Sequence, residues 1–196
     1  GGAHAMAPAS RRHAAPLSEL LFEDGWRFEF FQAVRLLQLQ ERERTPVGAG
    51  DDPRREGVRF RSDVSLGFPA SDLRGIEAPA EGTPARMTVA FLGVATPASF
   101  GSLPQPYAEL VLARGREKDQ ALRDFLDLFN HRLISLFYRA WEKYRFAVAY
   151  ERDGERGVTP YEHALLALLG LGTPALRDRL PLPDRALLAR AGALCR

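Results

Sequence analysis

The stretch from Asp119 to Arg145, DQALRDFLDLFNHRLISLFYRAWEKYR, contains neither Pro nor Gly, and Ile134 is its one β-branched residue. Nothing in it breaks an α-helix, so its composition predicts a single long one. At 1.5 Å per residue such a helix runs roughly 40 Å, longer than a small domain is wide. Leu122, Phe125, Phe129, Leu133, Leu136, Ala140 and Tyr144 recur at three- and four-residue steps and form one apolar stripe. Ile134, Tyr138 and Trp141 lie about half a turn away, with Asp127 and Arg145 beside them. Asp124, His131, Ser135, Arg139 and Glu142 make up the remaining, charged face. One stripe suffices to seat a surface helix, so two stripes imply packing on two sides. The first stripe is expected to anchor the helix on the chain's strands. The second, Ile134, Tyr138 and Trp141 bordered by Arg139 and Glu142, is the candidate partner interface, because Tyr and Trp are frequent anchors where one protein buries another. The competing reading places these three in the chain's own core.

The strands are expected on either side of a proline- and glycine-rich middle. Val58, Phe60, Val64, Leu66 and Phe68 alternate with polar residues or Gly, which predicts a strand with one wet face, interrupted in its apolar register by Ser62 and ended by Pro69. Met87 to Val94 is apolar at nearly every position and predicts a strand covered on both faces. Ala70 to Pro84 and Thr96 to Pro106 read as loops. Before the strands, Leu17 to Phe22 predicts a short helix stopped at Gly25, and Arg27 to Gln40 predicts a second with a wide apolar face headed by three phenylalanines. Pro106 to Arg114 predicts a helix broken by Gly115. After the long helix, Phe146, Val148 and Tyr150 alternate with alanines and suggest a third strand, followed by a charged turn over Glu151 to Gly157. Thr159-Pro160-Tyr161-Glu162 reads as a capping box opening a Leu-rich helix, and Thr173-Pro174 and Pro181 to Asp184 open two more short helices. The fold class is therefore α+β: a few strands packed on a long central helix, with short helices at the C-terminal end. Residues 1–15 read as a disordered tail with a cloning scar before Met6, 16–158 as the α+β domain, and 159–196 as a short helical segment that docks loosely.

Composition excludes several function classes. Lys and Arg number 27 against 25 Asp and Glu, a formal net charge of +2. The charges alternate in sign along the chain, as in Glu41-Arg42-Glu43-Arg44, which suits a solvated surface rather than a phosphate-binding stripe. No nucleic-acid partner is expected. The single cysteine, Cys195, excludes an internal disulfide and a cysteine-rich zinc site. The longest apolar run, Ala164 to Leu171, is far too short to span a bilayer, and Gly1 to Ala15 lacks the apolar core of a secretion signal. Asp127 and His131 stand four apart on the long helix and could share a metal, but two ligands without a further motif read as a solvated pair. His163 has no nucleophile or carboxylate at a diagnostic spacing. Ser99-Phe100-Gly101-Ser102 is no nucleophile elbow, and Gly170-Leu171-Gly172 follows a helix and lacks a P-loop lysine. No catalytic residue, metal ligand or cofactor is expected, and the residues point to an assembly protein.

Several stretches resemble the TssG family, baseplate components of the bacterial type VI secretion system. They are Phe30 to Leu37, the Pro46-Val47-Gly48 loop, Val58-Arg59-Phe60 leading into Ser65 to Pro69, Phe91-Leu92-Gly93, Leu103-Pro104, and Asp124 to Arg132 with Leu136 to Trp141. Together they cover about Leu17 to Arg145 in the family's order. The connection over Ala95 to Ser102 departs from the family's short Gly-Pro-x-Gly link. The resemblance implies a non-enzymatic scaffold of the baseplate wedge that assembles with two copies of a TssF-like subunit and with TssE- and TssK-like subunits. It implies a cytoplasmic, bacterial location at the inner-membrane face, without membrane insertion, and a family second half missing from this sequence. A contractile phage tail wedge protein would share most of these motifs. A metal-dependent hydrolase using Asp127, His131 or His163 is the lower alternative.

Overall fold

The computed structural model describes residues 16–93, 103–153 and 158–191, and it is α+β. The tail 1–15, the loop Ala95 to Ser102, most of the expected turn before Val158, and Cys195 lie outside the described residues. The chain divides into two compact units, Gly1–Leu136 and Phe137–Arg196, and the division falls inside the long helix.

The first unit is built on a three-stranded sheet. Strands β1 (Val58–Ser62), β2 (Leu73–Glu77) and β3 (Ala85–Val89) lie in the order β1-β3-β2, with β1 parallel and β2 antiparallel to β3. The two outer strands thus leave one free edge each, and β1 is one of them. Alternation does its expected work: Val58, Phe60 and Ser62 of β1, and Ala85, Met87 and Val89 of β3, are buried, while Arg59, Arg61, Arg86 and Thr88 between them are not. Strand β1 stops at Ser62, so the expected strand to Phe68 is too long; Leu66 and Phe68 are exposed. Strand β3 begins and ends earlier than expected. Strand β2 lies within the stretch read as a loop. It is short, carries a register irregularity between Leu73 and Gly75, and buries only Leu73 and Ile76, too few apolar residues to show a period.

Helices α1 (Leu17–Glu23) and α2 (Phe30–Gln40) precede the sheet. Between them a 3-10 turn, Gly25–Arg27, lies against β2. A Cβ on Gly25 would stand 2.9 Å from Ile76 Cγ1 and 3.1 Å from Ile76 N, so this approach requires glycine. Helix α2 buries Phe30, Ala33, Val34 and Leu37, and Phe30 packs its ring 5.8 Å from Phe60 and 5.5 Å from Phe91. Its first turn is capped from a distance: the Phe30 N–H donates to Asp72 Oδ2 at 3.3 Å. At its other end Gln38 Oε1 accepts the Val47 N–H, which holds the Pro46-Val47-Gly48 loop, and Gly48 takes a φ of 69° that favours glycine.

Helix α3 (Gln105–Arg116) continues through Gly115 rather than breaking there. Helix α4 (Ala121–Glu142) is the long helix, about 33 Å by its length and a little shorter than its sequence suggests. Asp119 opens it: Oδ1 accepts the Ala121 N–H, and Arg114 donates to Oδ2 at 2.8 Å. The Ala121 N–H and then Arg114 hold this carboxyl below the usual range.

In the second unit, α5 (Phe146–Asp153) replaces the expected third strand. Five residues alternating with alanine fit either period. Alanine favours the helix, and Phe146 meets Tyr150 one turn on at 5.5 Å. Helix α6 (Pro160–Leu168) starts on the expected cap, with Thr159 Oγ1 accepting the Glu162 N–H at 3.2 Å. The Glu162 carboxylate accepts from Arg185 at 2.8 Å. That arginine sits on α7 (Asp184–Ala189), with its guanidinium over the Tyr150 ring. A 3-10 turn at Pro174–Leu176 stands where a short helix was expected.

Truncating Phe60, which is fully buried between Phe30 and His131, should cost about 3–5 kcal/mol in a urea unfolding titration of Phe60→Ala. Thr159→Ala should cost about 1 kcal/mol by the same measurement, through its helix cap.

Candidate functional site

The free edge of β1 meets the side chains of α4. A strand at a sheet edge presents every second N–H outward, and each one needs an acceptor once water is excluded. The Ser62 N–H donates to Asp127 Oδ1 at 3.1 Å, and the Phe60 N–H donates to His131 Nδ1 at 3.2 Å. Two strand residues advance about 6.6 Å and four helix residues about 6 Å, so residues four apart on the helix match alternate strand amides. The helix therefore closes the sheet with side-chain acceptors in place of a fourth strand.

The seam is buried and polar. Asp127, Asn130, His131 and Ser135 are all almost without exposed surface. Asn130 donates to Asp127 Oδ1 at 3.0 Å, and Ser135 Oγ donates to the His131 carbonyl. Because Nδ1 accepts from a backbone amide, the proton of a neutral His131 sits on Nε2. That nitrogen faces the buried Glu56 Oε2 at 3.3 Å, without a hydrogen bond between them. Asp127 Oδ2 faces Arg61 Nε at 3.8 Å and Arg123 Nε at 4.0 Å, and Arg61 also reaches Asp124 at 3.6 Å. Burial draws the Arg59 guanidinium below the usual arginine range, against the pull of Asp127 and Glu56.

This arrangement bears on the hydrolase reading. Asp127 and His131 do share a helix face, but each has committed an acceptor atom to a backbone amide. Neither is the solvated pair that their spacing suggested. His163 is exposed on α6. Among the described residues no group of three or more His, Cys, Asp or Glu side chains gathers as a metal would need. Nor, among those residues, is any helix long and apolar enough to cross a membrane.

The faces of α4 are the reverse of those expected. Of the stripe meant to anchor it, Phe125 is 54% exposed, Phe129 53%, Leu133 54% and Leu136 44%, and Leu128 beside them is 58% exposed. Phe125 and Phe129 meet edge to face at 5.2 Å, so the stripe is an ordered apolar surface. The candidate interface fares the opposite way. Ile134 and Tyr138 have no exposed surface, and Glu142 is buried and accepts from Arg152 at 2.7 Å. These three present nothing to a partner as the chain stands. Trp141 is half-buried between the Tyr138 ring and the Arg145 guanidinium, and Arg139 is exposed. The physical reason is the strand edge: its amides need polar acceptors, so the polar face turns inward and the apolar stripe outward. Reasoning from hydrophobicity alone missed this. The signal was the pairing of two acceptors, Asp127 and His131, with Ile134 and Tyr138 along one line of the helix.

The exposed side chains of Phe125, Leu128, Phe129, Leu133 and Leu136 thus form a continuous apolar surface on α4. Substitution separates the two faces of the seam residue. Asp127→Asn keeps an acceptor for the Ser62 N–H, whereas Asp127→Leu leaves that buried amide without one. In thermal melts the leucine variant should be less stable than the asparagine variant by about 1–3 kcal/mol.

A family model described as "Type VI secretion, TssG" matches residues 24–196. Nothing matches among the curated proteins, and nothing matches among the solved structures.

Proposed function

The chain belongs to the TssG family, structural components of the type VI secretion baseplate, and on that premise we propose that it is a wedge subunit whose exposed α4 stripe seats another baseplate subunit. The observation that carries this reading is the stripe itself, Phe125, Leu128, Phe129, Leu133 and Leu136. A monomer gains nothing from exposing five large apolar side chains in a row. A subunit gains the free energy of covering them, about 25 cal/mol for each Å² removed from water.

The partner we assign to the stripe is a TssF-like subunit, with two copies to each copy of this chain, and TssE- and TssK-like subunits join the same wedge. The support is the family's place in a baseplate, which is an assembly of several subunits. We place the assembly on the cytoplasmic side of the inner membrane. The chain acts there as a scaffold and not as an enzyme. The engagement of Asp127 and His131 by strand amides supports that part of the reading, since it gives one acceptor atom of each side chain a structural role. Arg139 and the open part of Trp141 remain candidates for a contact of their own.

Co-expression of the full chain with a TssF-like protein tests the proposal. The native chain should hold that protein through affinity purification. Phe129→Asp should fold with an unchanged melt, because its side chain is half in water, and should lose the partner by about 2 kcal/mol or more. Full retention of the partner by Phe129→Asp would show that the stripe is not the docking surface.

A further inference from the structure

Beside the stripe, a cavity of about 370 Å³ is lined by Arg54, Arg59, Arg86, Asp52, Thr83 and Leu128, with two prolines. Leu128 belongs to both features, so the apolar surface and the cavity are continuous. Three of the lining side chains are guanidinium groups and only one is a carboxylate. Arg86 is paired with Glu77 at 3.2 Å. Among the described residues, Arg54 and Arg59 make no side-chain hydrogen bond and no ion pair. Asp52 makes no ion pair with them, and its Oδ1 accepts the Arg54 backbone N–H at 2.9 Å.

Arg59 is the informative member. It stands on β1 between Val58 and Phe60, half-buried, and burial weakens its hold on its proton. The charges of Asp127 and Glu56 oppose that effect without outweighing it. A guanidinium with five donors, partly withdrawn from water and without an acceptor, favours any carboxylate that can enter the cavity. Arginine accepts such a group through two parallel N–H bonds, which fixes the orientation of the incoming side chain.

We propose that the stripe and the arginine cavity form one composite docking surface, and that its occupant is an amphipathic helix of a partner subunit carrying an Asp or Glu beside its apolar side chains. The inference rests on the stripe being a partner surface and adds the chemistry of what covers it. The partner's apolar residues lie along Phe125, Phe129, Leu133 and Leu136. Its carboxylate enters at the Leu128 end, between Arg54 and Arg59. The apolar contact supplies area and the ion pair supplies register, because a helix sliding by one turn would move its carboxylate about 5.4 Å out of the cavity. The surface discriminates against a lysine-bearing helix, whose ammonium would meet three arginines.

The experiment uses the full chain with the TssF-like subunit of the preceding test as probe. Arg54→Glu, and the double variant Arg54→Glu with Arg59→Gln, are compared with native chain and with Phe129→Asp by titration calorimetry at low and high salt. Circular dichroism melts check that each variant folds. The double variant should bind about tenfold more weakly at low salt, and the gap should narrow as salt rises. In a second arm, Arg54→Lys places an amine in the cavity, and a zero-length carbodiimide should couple it to an Asp or Glu of the probe, located by mass spectrometry. Weakened binding in Phe129→Asp alone, with native affinity in both arginine variants and no coupling at Lys in position 54, would overturn this inference and leave the stripe as the interface. Unchanged binding in Phe129→Asp would overturn the reading beneath it. Self-association of the native chain that Phe129→Asp abolishes would assign the surface to a second copy and also overturn the inference.

Discussion

Two hydrogen bonds join the long helix to the sheet edge of the first unit: Ser62 N–H to Asp127, and Phe60 N–H to His131. A three-stranded sheet has two unpaired edges, and an edge that is both buried and unsatisfied is costly at every second residue. Here the acceptors arrive on a helix, because four residues of α-helix and two of extended strand cover nearly the same distance. The face of α4 that meets the sheet must therefore carry acceptors. Asn130, Ser135 and the Arg61 and Arg123 guanidinia then complete the seam around them.

That constraint decides where the apolar side chains of the helix go. A helix has one circumference to divide. When the inward arc is taken by Asp127, Asn130, His131, Ile134 and Ser135, the phenylalanines and leucines have no place but outside. In a protein that works alone such a surface would be a liability for solubility. In a baseplate component we propose that it serves assembly, and the hydrogen-bonded seam turns it outward. A polar seam also tolerates no slippage, since its donors and acceptors must align. It holds the helix in one rotation about its axis and so fixes which side chains face outward.

The arginine cavity follows from the same geometry. Strand β1 must alternate, and its buried positions Val58, Phe60 and Ser62 leave Arg59 and Arg61 on the other side. Arg61 turns to the carboxylates of α4 and forms ion pairs with Asp124 at 3.6 Å and Asp127 at 3.8 Å. Arg59 is left half-covered beside Leu128, at the border of the apolar surface. One strand thus supplies the amides that orient the helix and a charge that stands next to the helix's exposed face.

Much of this was legible in the residues themselves. The absence of Pro and Gly between Asp119 and Arg145 determined the long helix. Alternation at Val58 to Ser62 determined β1, and Thr159 determined the start of α6 through its hydroxyl. These are local effects, written within a few residues of where they act. Strand β2 was not legible, because it buries too few side chains to show a period. Helix α5 was not, because alternation with alanine over five residues suits strand and helix alike. Which face of α4 looks inward was the largest misreading, and hydrophobicity alone could not have prevented it. Hydrophobic periodicity identifies two opposed faces but not their neighbours. Only the tertiary structure could decide that the neighbour on one side is a strand edge, where an acceptor satisfies a buried amide and a phenylalanine would leave it unsatisfied.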